Sequence, residues 1–109
     1  MSTLADEQCQ SLSGPEHKLG ESAIGVLLGQ LPAWGTDAEG RLQRRYSFAN
    51  FVDALAFTNQ LGEIAEAQGH HPDLALGWGY VVVHLCTHDV GGLSRNDFVM
   101  AAKIDQLSV

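Results

Sequence analysis

The sequence predicts a single α+β domain in which an antiparallel sheet carries its helices on one face. Three observations lead there. Apolar and polar residues alternate with period two over 41–48 and again over about 76–86. Between these stretches, over about 50–68, the spacing changes to that of one long helix. Strands joined by short turns, with a single long helix between them, pair antiparallel rather than as βαβ units. The length of 109 residues suits one domain with one core.

The elements follow in order. Residues 1–19 are rich in Ser, Gln, Glu and Gly and lack periodicity, which predicts a loosely ordered amino-terminal arm before a domain over 20–109. Ile24, Leu27, Leu28 and Leu31 share one face of a short helix over 21–30, ended by Pro32. Trp34 opens a first strand, and Asp37-Ala38-Glu39-Gly40 is turn chemistry. Leu42, Arg44, Tyr46 and Phe48 form one side of the next strand. In the long helix Ala54, Phe57, Leu61 and Ile64 make a stripe that Phe51, Leu55 and Ala65 broaden, and Gly69 is the stop signal. The region over 76–86 is long for one strand, and Gly77 or Gly79 is expected to split it. Ser94-Arg95-Asn96-Asp97 opens the last helix in capping-box manner, with Phe98, Ala101, Ile104 and Leu107 on its buried face.

Composition narrows the functions. Six Lys and Arg stand against thirteen Asp and Glu, for a net charge of −7. Nucleic acid and anionic lipid surfaces need a basic face, so neither is expected as a partner. Two cysteines, Cys9 and Cys86, make no disulfide framework, and no CxxC pair suggests zinc. The first ten residues carry no basic and apolar leader pattern, and the run Val81-Val82-Val83 is far too short to span a membrane. The chain reads as a soluble, cytoplasmic protein with free thiols.

The histidines carry the chemical signal. His17 lies in the polar arm and His84 in mid-strand, where packing or solvation explains each. His70 and His71 stand where a long helix gives way to a turn forced by Pro72, and His88 opens a glycine-rich loop after a strand. Imidazole exchanges protons near neutral pH, and loops held by rigid elements are where sites form. A helix C-cap is the plain alternative for the pair, because imidazole suits the negative end of the helix dipole. A metal needs three converging ligands, whereas adjacent side chains point apart and no HExxH pattern is present.

Read together, Glu66-x-x-x-His70-His71-Pro72-Asp73, Trp78, Thr87-His88 and Gly92-Leu93-Ser94 with Asp97 resemble the signature of the pterin-4a-carbinolamine dehydratases. Trp34, the strand Arg45-Tyr46-Ser47-Phe48, Phe51 and the terminal Ala101-Ala102-Lys103-Ile104-Asp105 also fit, so the resemblance runs over about 21–107. It implies a four-stranded antiparallel sheet with helices on one side, assembled as homodimers or homotetramers. The reaction it implies is loss of water from a 4a-hydroxytetrahydropterin to give the quinonoid dihydropterin, which recycles the cofactor of aromatic amino-acid hydroxylases. No metal or cofactor is implied. Matched position by position, His70 and His88 become the acid/base pair and His71 the histidine that mainly holds the pterin. Pro72 shapes the turn, Thr87, His88, Asp89 and Val90 form the second substrate-contacting loop, and Trp78 is the motif aromatic beside the substrate. Glu66 takes the acidic position that orients a site histidine; a solvated helix-face carboxylate is its plain alternative.

Two departures are visible. Gly69 stands where many relatives carry an acidic residue, and Leu74-Ala75-Leu76-Gly77-Trp78-Gly79-Tyr80 is more apolar and glycine-rich than the commoner segment. This variant resembles a bacterial branch of the family, and such branches include assembly factors for Rubisco. A protein-binding or assembly role is therefore the alternative to the lyase. Retention of all three histidines favours the enzyme.

Overall fold

The computed structural model of the chain describes residues 3–107. Helix α1 spans Glu21–Leu28, α2 Phe51–Gln68 and α3 Arg95–Asp105. Strands β1 Gly35–Thr36, β2 Leu42–Ser47, β3 Asp73–Gly77 and β4 Tyr80–Leu85 form one antiparallel four-stranded sheet in the order β1-β2-β4-β3. The expected fold class holds. Among the described residues, no helix is long and apolar enough to cross a membrane.

The register explains the layering. Leu42 faces Leu85, Arg44 faces Val83 and Tyr46 faces Val81, so one face of the sheet collects the apolar residues of β2 and β4. That face is buried beneath Ala54, Phe57, Leu61 and Ala65 of α2 and Phe98, Ala101 and Ile104 of α3. The Phe57 ring lies with its centroid 4.6 Å from that of Tyr46 and 5.1 Å from that of Phe48. The opposite face carries Gln43, Arg45, Val82 and His84, none of them fully buried.

Local chemistry sets the boundaries. Asn50 caps α2 by accepting the Asp53 backbone N–H at 2.8 Å. The helix stops at Gly69, which adopts a left-handed φ of +64°. α1 ends two residues earlier than its periodicity suggests, because the Gln30 and Leu31 N–H groups bond three residues back and tighten the last turn. Trp34 stands just before β1, buried, rather than inside it. The stretch expected to be split becomes a hairpin turning at Trp78-Gly79, with Gly79 at a φ of +81°. The Tyr80 ring lies over Gly77, where a Cβ would stand 2.4 Å from it and displace the ring.

One expectation needs correction. Phe51 and Leu55 do not broaden the core stripe; they remain 43% and 40% exposed. The buried positions 54, 57, 61 and 65 form a narrow row along α2, and residues 51 and 55 fall together on one flank of it. Ile64, on the other flank, is half-buried. The arm runs along the domain with little regular structure. It forms 3-10 turns at Leu4–Asp6 and Pro15–His17, and Leu4 is buried in the core. Arg95 grips Glu7 through two bonds of 2.8 and 2.7 Å, and Lys103 donates to the Ala5 carbonyl at 2.8 Å. These partners are spread over α3, where no periodicity in the arm could announce them.

A second polar cluster fastens α3 to the sheet. The Asp105 carboxylate accepts from Trp34 Nε1 at 2.9 Å, Arg44 at 2.6 Å and the Tyr46 hydroxyl at 2.5 Å. Burial first, and the Asp105 carboxylate next, push the Tyr46 phenol well above its usual range, so it donates as a neutral hydroxyl.

Truncating Phe57 or Leu61 to alanine should cost about 2–5 kcal/mol in urea unfolding. Val52→Ala or Leu55→Ala should cost less than about 1 kcal/mol. Equal losses at the two sets would refute the narrow stripe.

Candidate active site

The candidate site is built where α2 ends, β4 ends and α3 begins. The left-handed Gly69 turns the chain out of α2, with the His70 N–H bonded back to the Ala65 carbonyl at 3.3 Å. This delivers the His70 ring to Asp97, the third residue of α3, with Nε2 lying 2.6 Å from Asp97 Oδ1. The His70 side chain is 11% exposed and that of Asp97 is fully buried.

Asp97 is the hub. Its Oδ2 accepts the Ser94 backbone N–H at 2.9 Å and the Thr87 hydroxyl at 2.8 Å. Thr87 also shares a 2.7 Å bond with the Ser94 hydroxyl. One carboxylate thus caps α3, holds the start of the His88 loop and accepts from His70. A buried ion without such partners would be strongly destabilising. With Nε2–H donated to Asp97, Nδ1 of His70 is the nitrogen left to exchange a proton.

The loop is closed by its own backbone. The Thr87 N–H donates to the Gly92 carbonyl at 2.8 Å, and a 3-10 turn over His88–Val90 ends at Gly91 with a φ of +79°. Val90 is buried beneath this turn, with its N–H bonded to the Thr87 carbonyl at 3.1 Å, while His88 and Asp89 are exposed. His88 Nε2 stands 3.8 Å from Cys86 Sγ. Burial, followed by the nearby Asp97 and Asp73 carboxylates, raises the Cys86 thiol, which keeps it protonated and a poor nucleophile near neutral pH. His88 lines a cavity of about 270 Å³ walled by Glu39, Gly40 and Arg41 opposite Cys86 and Thr87.

The remaining expected residues fall into two groups. His71 joins Glu66, with Nε2 2.5 Å from Oε2 and both side chains exposed. Pro72, half-buried, follows directly and leads into β3. Trp78 is not brought to the histidines. It sits 73% exposed at the hairpin turn, at the far end of β3. Five residues of extended chain separate it from Asp73, roughly 16 Å. The cause is the extended β3, Asp73–Gly77, which runs from the His pair to the hairpin turn where Trp78 sits. His84 lies on the outer sheet face, 2.8 Å from Gln43 Oε1. Among the described residues no group of three or more His, Cys, Asp or Glu side chains forms a metal-ligand set.

Sequence reasoning read Asp97 as a helix cap and motif position and gave it no site role. The Ser94-x-x-Asp97 spacing signals the cap; the second and third partners come from residues ten and twenty-seven positions earlier.

Fold and site together define a small α+β domain whose histidine turn and histidine loop share one buried carboxylate. The chain belongs to the pterin 4 alpha carbinolamine dehydratase family, whose family model matches residues 17–107. A protein from Halorhodospira halophila is 42% identical over 106 residues, covering 96% of this chain and 97% of its own. One from Microcystis aeruginosa is 46% identical over 110 residues, covering 98% and 95%. Both bear the name pterin-4-alpha-carbinolamine dehydratase as a provisional assignment. Among solved structures, a transcriptional coactivator/pterin dehydratase from Brucella melitensis matches with a TM-score of 0.76 at 31% identity, over 81% of this chain and 95% of that one. A pterin dehydratase-like protein identified as a RuBisCO assembly factor in the alpha-carboxysome matches with a TM-score of 0.57 at 27% identity, over 67% and 86%.

Asp97→Ala should destabilise the fold by about 2–5 kcal/mol, since Thr87, Ser94 and His70 lose their common acceptor. Thr87→Val, which keeps the shape, should cost about 1–3 kcal/mol. Denaturant midpoints at constant m-value measure both, and an Asp97→Ala protein as stable as wild type would remove the hub from the account.

Proposed function

We propose that this protein removes water from a 4a-hydroxytetrahydropterin, giving the quinonoid dihydropterin and so returning the cofactor of aromatic amino-acid hydroxylases to use. The observation that carries this reading is the Asp97 bridge, which couples the turn bearing His70 and His71 to the loop bearing His88. The reaction needs one acid and one base at a single flat ring system. A proton reaches the C4a hydroxyl, the C–O bond breaks and water leaves. The adjacent ring nitrogen loses its proton, and its electron pair closes the C=N double bond. No electrons are exchanged with a partner, so imidazoles suffice.

His70 and His88 serve as the acid/base pair, with Asp97 holding the His70 tautomer. His71, oriented by Glu66, holds the pterin. The loop of Thr87, Asp89 and Val90 borders the ring, and Pro72 sets the turn. Trp78 has no part in the site of its own chain. Removing one acid/base histidine typically costs about 10² to 10⁴-fold. His70→Ala and His88→Ala should therefore lose turnover, whereas His71→Ala should mainly raise KM. His84→Ala, on the outer sheet face, should leave both near wild type. Activity should persist in a chelator. The assay uses freshly generated 4a-hydroxytetrahydropterin, and no acceleration over the spontaneous reaction would refute the lyase.

Homo-oligomerisation belongs to the same proposal. β3 is an edge strand with one side unpaired, and such edges are normally covered. Light scattering should give a multiple of the 11.7 kDa chain mass at micromolar concentration; the chain mass itself would count against assembly.

A second reading, a protein-binding or assembly role, is favoured by the exposed apolar flank of Phe51, Val52 and Leu55 together with the likeness to the RuBisCO assembly factor. An inactive wild-type protein that bound Rubisco, with binding lost on Val52→Asp, would establish it over the lyase.

A further inference from the structure

We propose that the amino-terminal arm, over residues 8–19, is a positioning element for the histidine site. It ties together the three pieces of backbone that carry His70, Asp97 and His88. At the end of α2, two residues before His70, the Gln68 side chain accepts the Cys9 N–H at 2.8 Å and donates to Gln8 Oε1 at 2.8 Å. At the start of α3, beside Asp97, buried Asn96 makes a reciprocal pair with the Gln10 backbone. Its Oδ1 accepts the N–H at 2.9 Å and its Nδ2 donates to the carbonyl at 2.7 Å. At the His88 loop the Gly14 N–H donates to the Asp89 carbonyl at 3.0 Å, and the Leu19 N–H donates to the Leu93 carbonyl at 2.8 Å.

These contacts have the character of a brace. They are directional bonds between backbone groups and three amide side chains, those of Gln8, Gln68 and Asn96, so they fix distances beyond what the partial burial of Cys9 and Leu19 supplies. Within the arm over 8–19 no side chain is fully buried. Gly14, at a φ of +92°, turns the strap from α3 onto the loop, and the Lys18 stem then lies against Gly92, where a Cβ would meet Lys18 Cε at 2.9 Å. Most of the brace also lies outside the span 17–107 that the family model matches. His70 and His88 are thus held through Asp97 on one side and through the arm on the other. Acid/base transfer is steep in geometry, since a displacement of about 1 Å can cost about 10²-fold in rate.

The kinetic part of the test rests on the dehydratase reading; the spectroscopic part does not. In the full-length chain, Gln68→Ala and Asn96→Ala are made singly and together, with Gln68→Glu as the conservative variant that keeps the acceptor for Cys9. Ile104→Val, in the core, serves as a control for general loss of stability. The double variant should lose about 10- to 100-fold in kcat with KM held within about threefold. Gln68→Glu should recover most of the single-site loss, and Ile104→Val should lower the melting temperature without moving kcat. The ring nitrogen resonances of His70 and His88 should shift in the double variant while that of His84 stays fixed. A folded double variant with unchanged His70 and His88 resonances would overturn the proposal. If the wild type itself does not accelerate dehydration, the lyase fails, and the resonances alone decide for or against the brace. If the double variant does not fold, the same comparison is read on the two single variants.

Discussion

The His70 turn and the His88 loop meet at one buried carboxylate. Asp97 sits where desolvation is most expensive, and it is tolerable there because the Thr87 hydroxyl, the Ser94 N–H and the His70 ring all donate to it. Those donors lie three, ten and twenty-seven residues before it in sequence. The ion therefore acts as a geometric constraint: α3 cannot begin, nor the His88 loop leave β4, in any arrangement that strands it. Stability and the placement of His70 and the His88 loop are set by the same atoms, on a chain of 109 residues.

The fold was largely legible because its signals are local. Alternation in β2 and β4, the Asn50 and Ser94 caps and the Gly69 stop each act within a few residues, and the structure keeps them at those places. Signals that depend on what lies opposite were not legible. Phe51 and Leu55 have helical spacing, but whether a flank is covered depends on the neighbouring surface, and here nothing in the described chain buries it. The arm has polar composition, so its order comes from amide and backbone partners on α2, α3 and the His88 loop. Asp97 displayed its capping role in sequence and concealed the other two. Trp78 kept the motif spacing, yet the extended β3 carries it to the opposite end of the hairpin.

Two surfaces of the molecule are physically independent. The histidine turn lies at the carboxyl end of α2, and the exposed apolar flank at its amino end, separated by most of an 18-residue helix. Over some fifteen residues that is about 22 Å. Acid/base chemistry needs a polar, hydrogen-bonded setting, whereas protein contact needs unpaired apolar area. The fold supplies both without competition, which fits a family whose solved members bear names of both kinds.

The placement of α3 has a consequence for how the chain acquires its structure during synthesis. Seven residues of α3 are buried, including Phe98, Met100 and Ile104. The central pairing of β2 with β4 also spans the whole of α2. Until the ribosome has delivered α3, the apolar face of the sheet has no lid and the loop after β4 has no anion to close upon. The nascent α1, β2 and α2 must wait, exposing apolar surface that mature neighbours would later cover. Contacts of such long sequence separation form late and slowly, so a chain that has not yet docked α3 leaves the apolar face of its sheet open to aggregation.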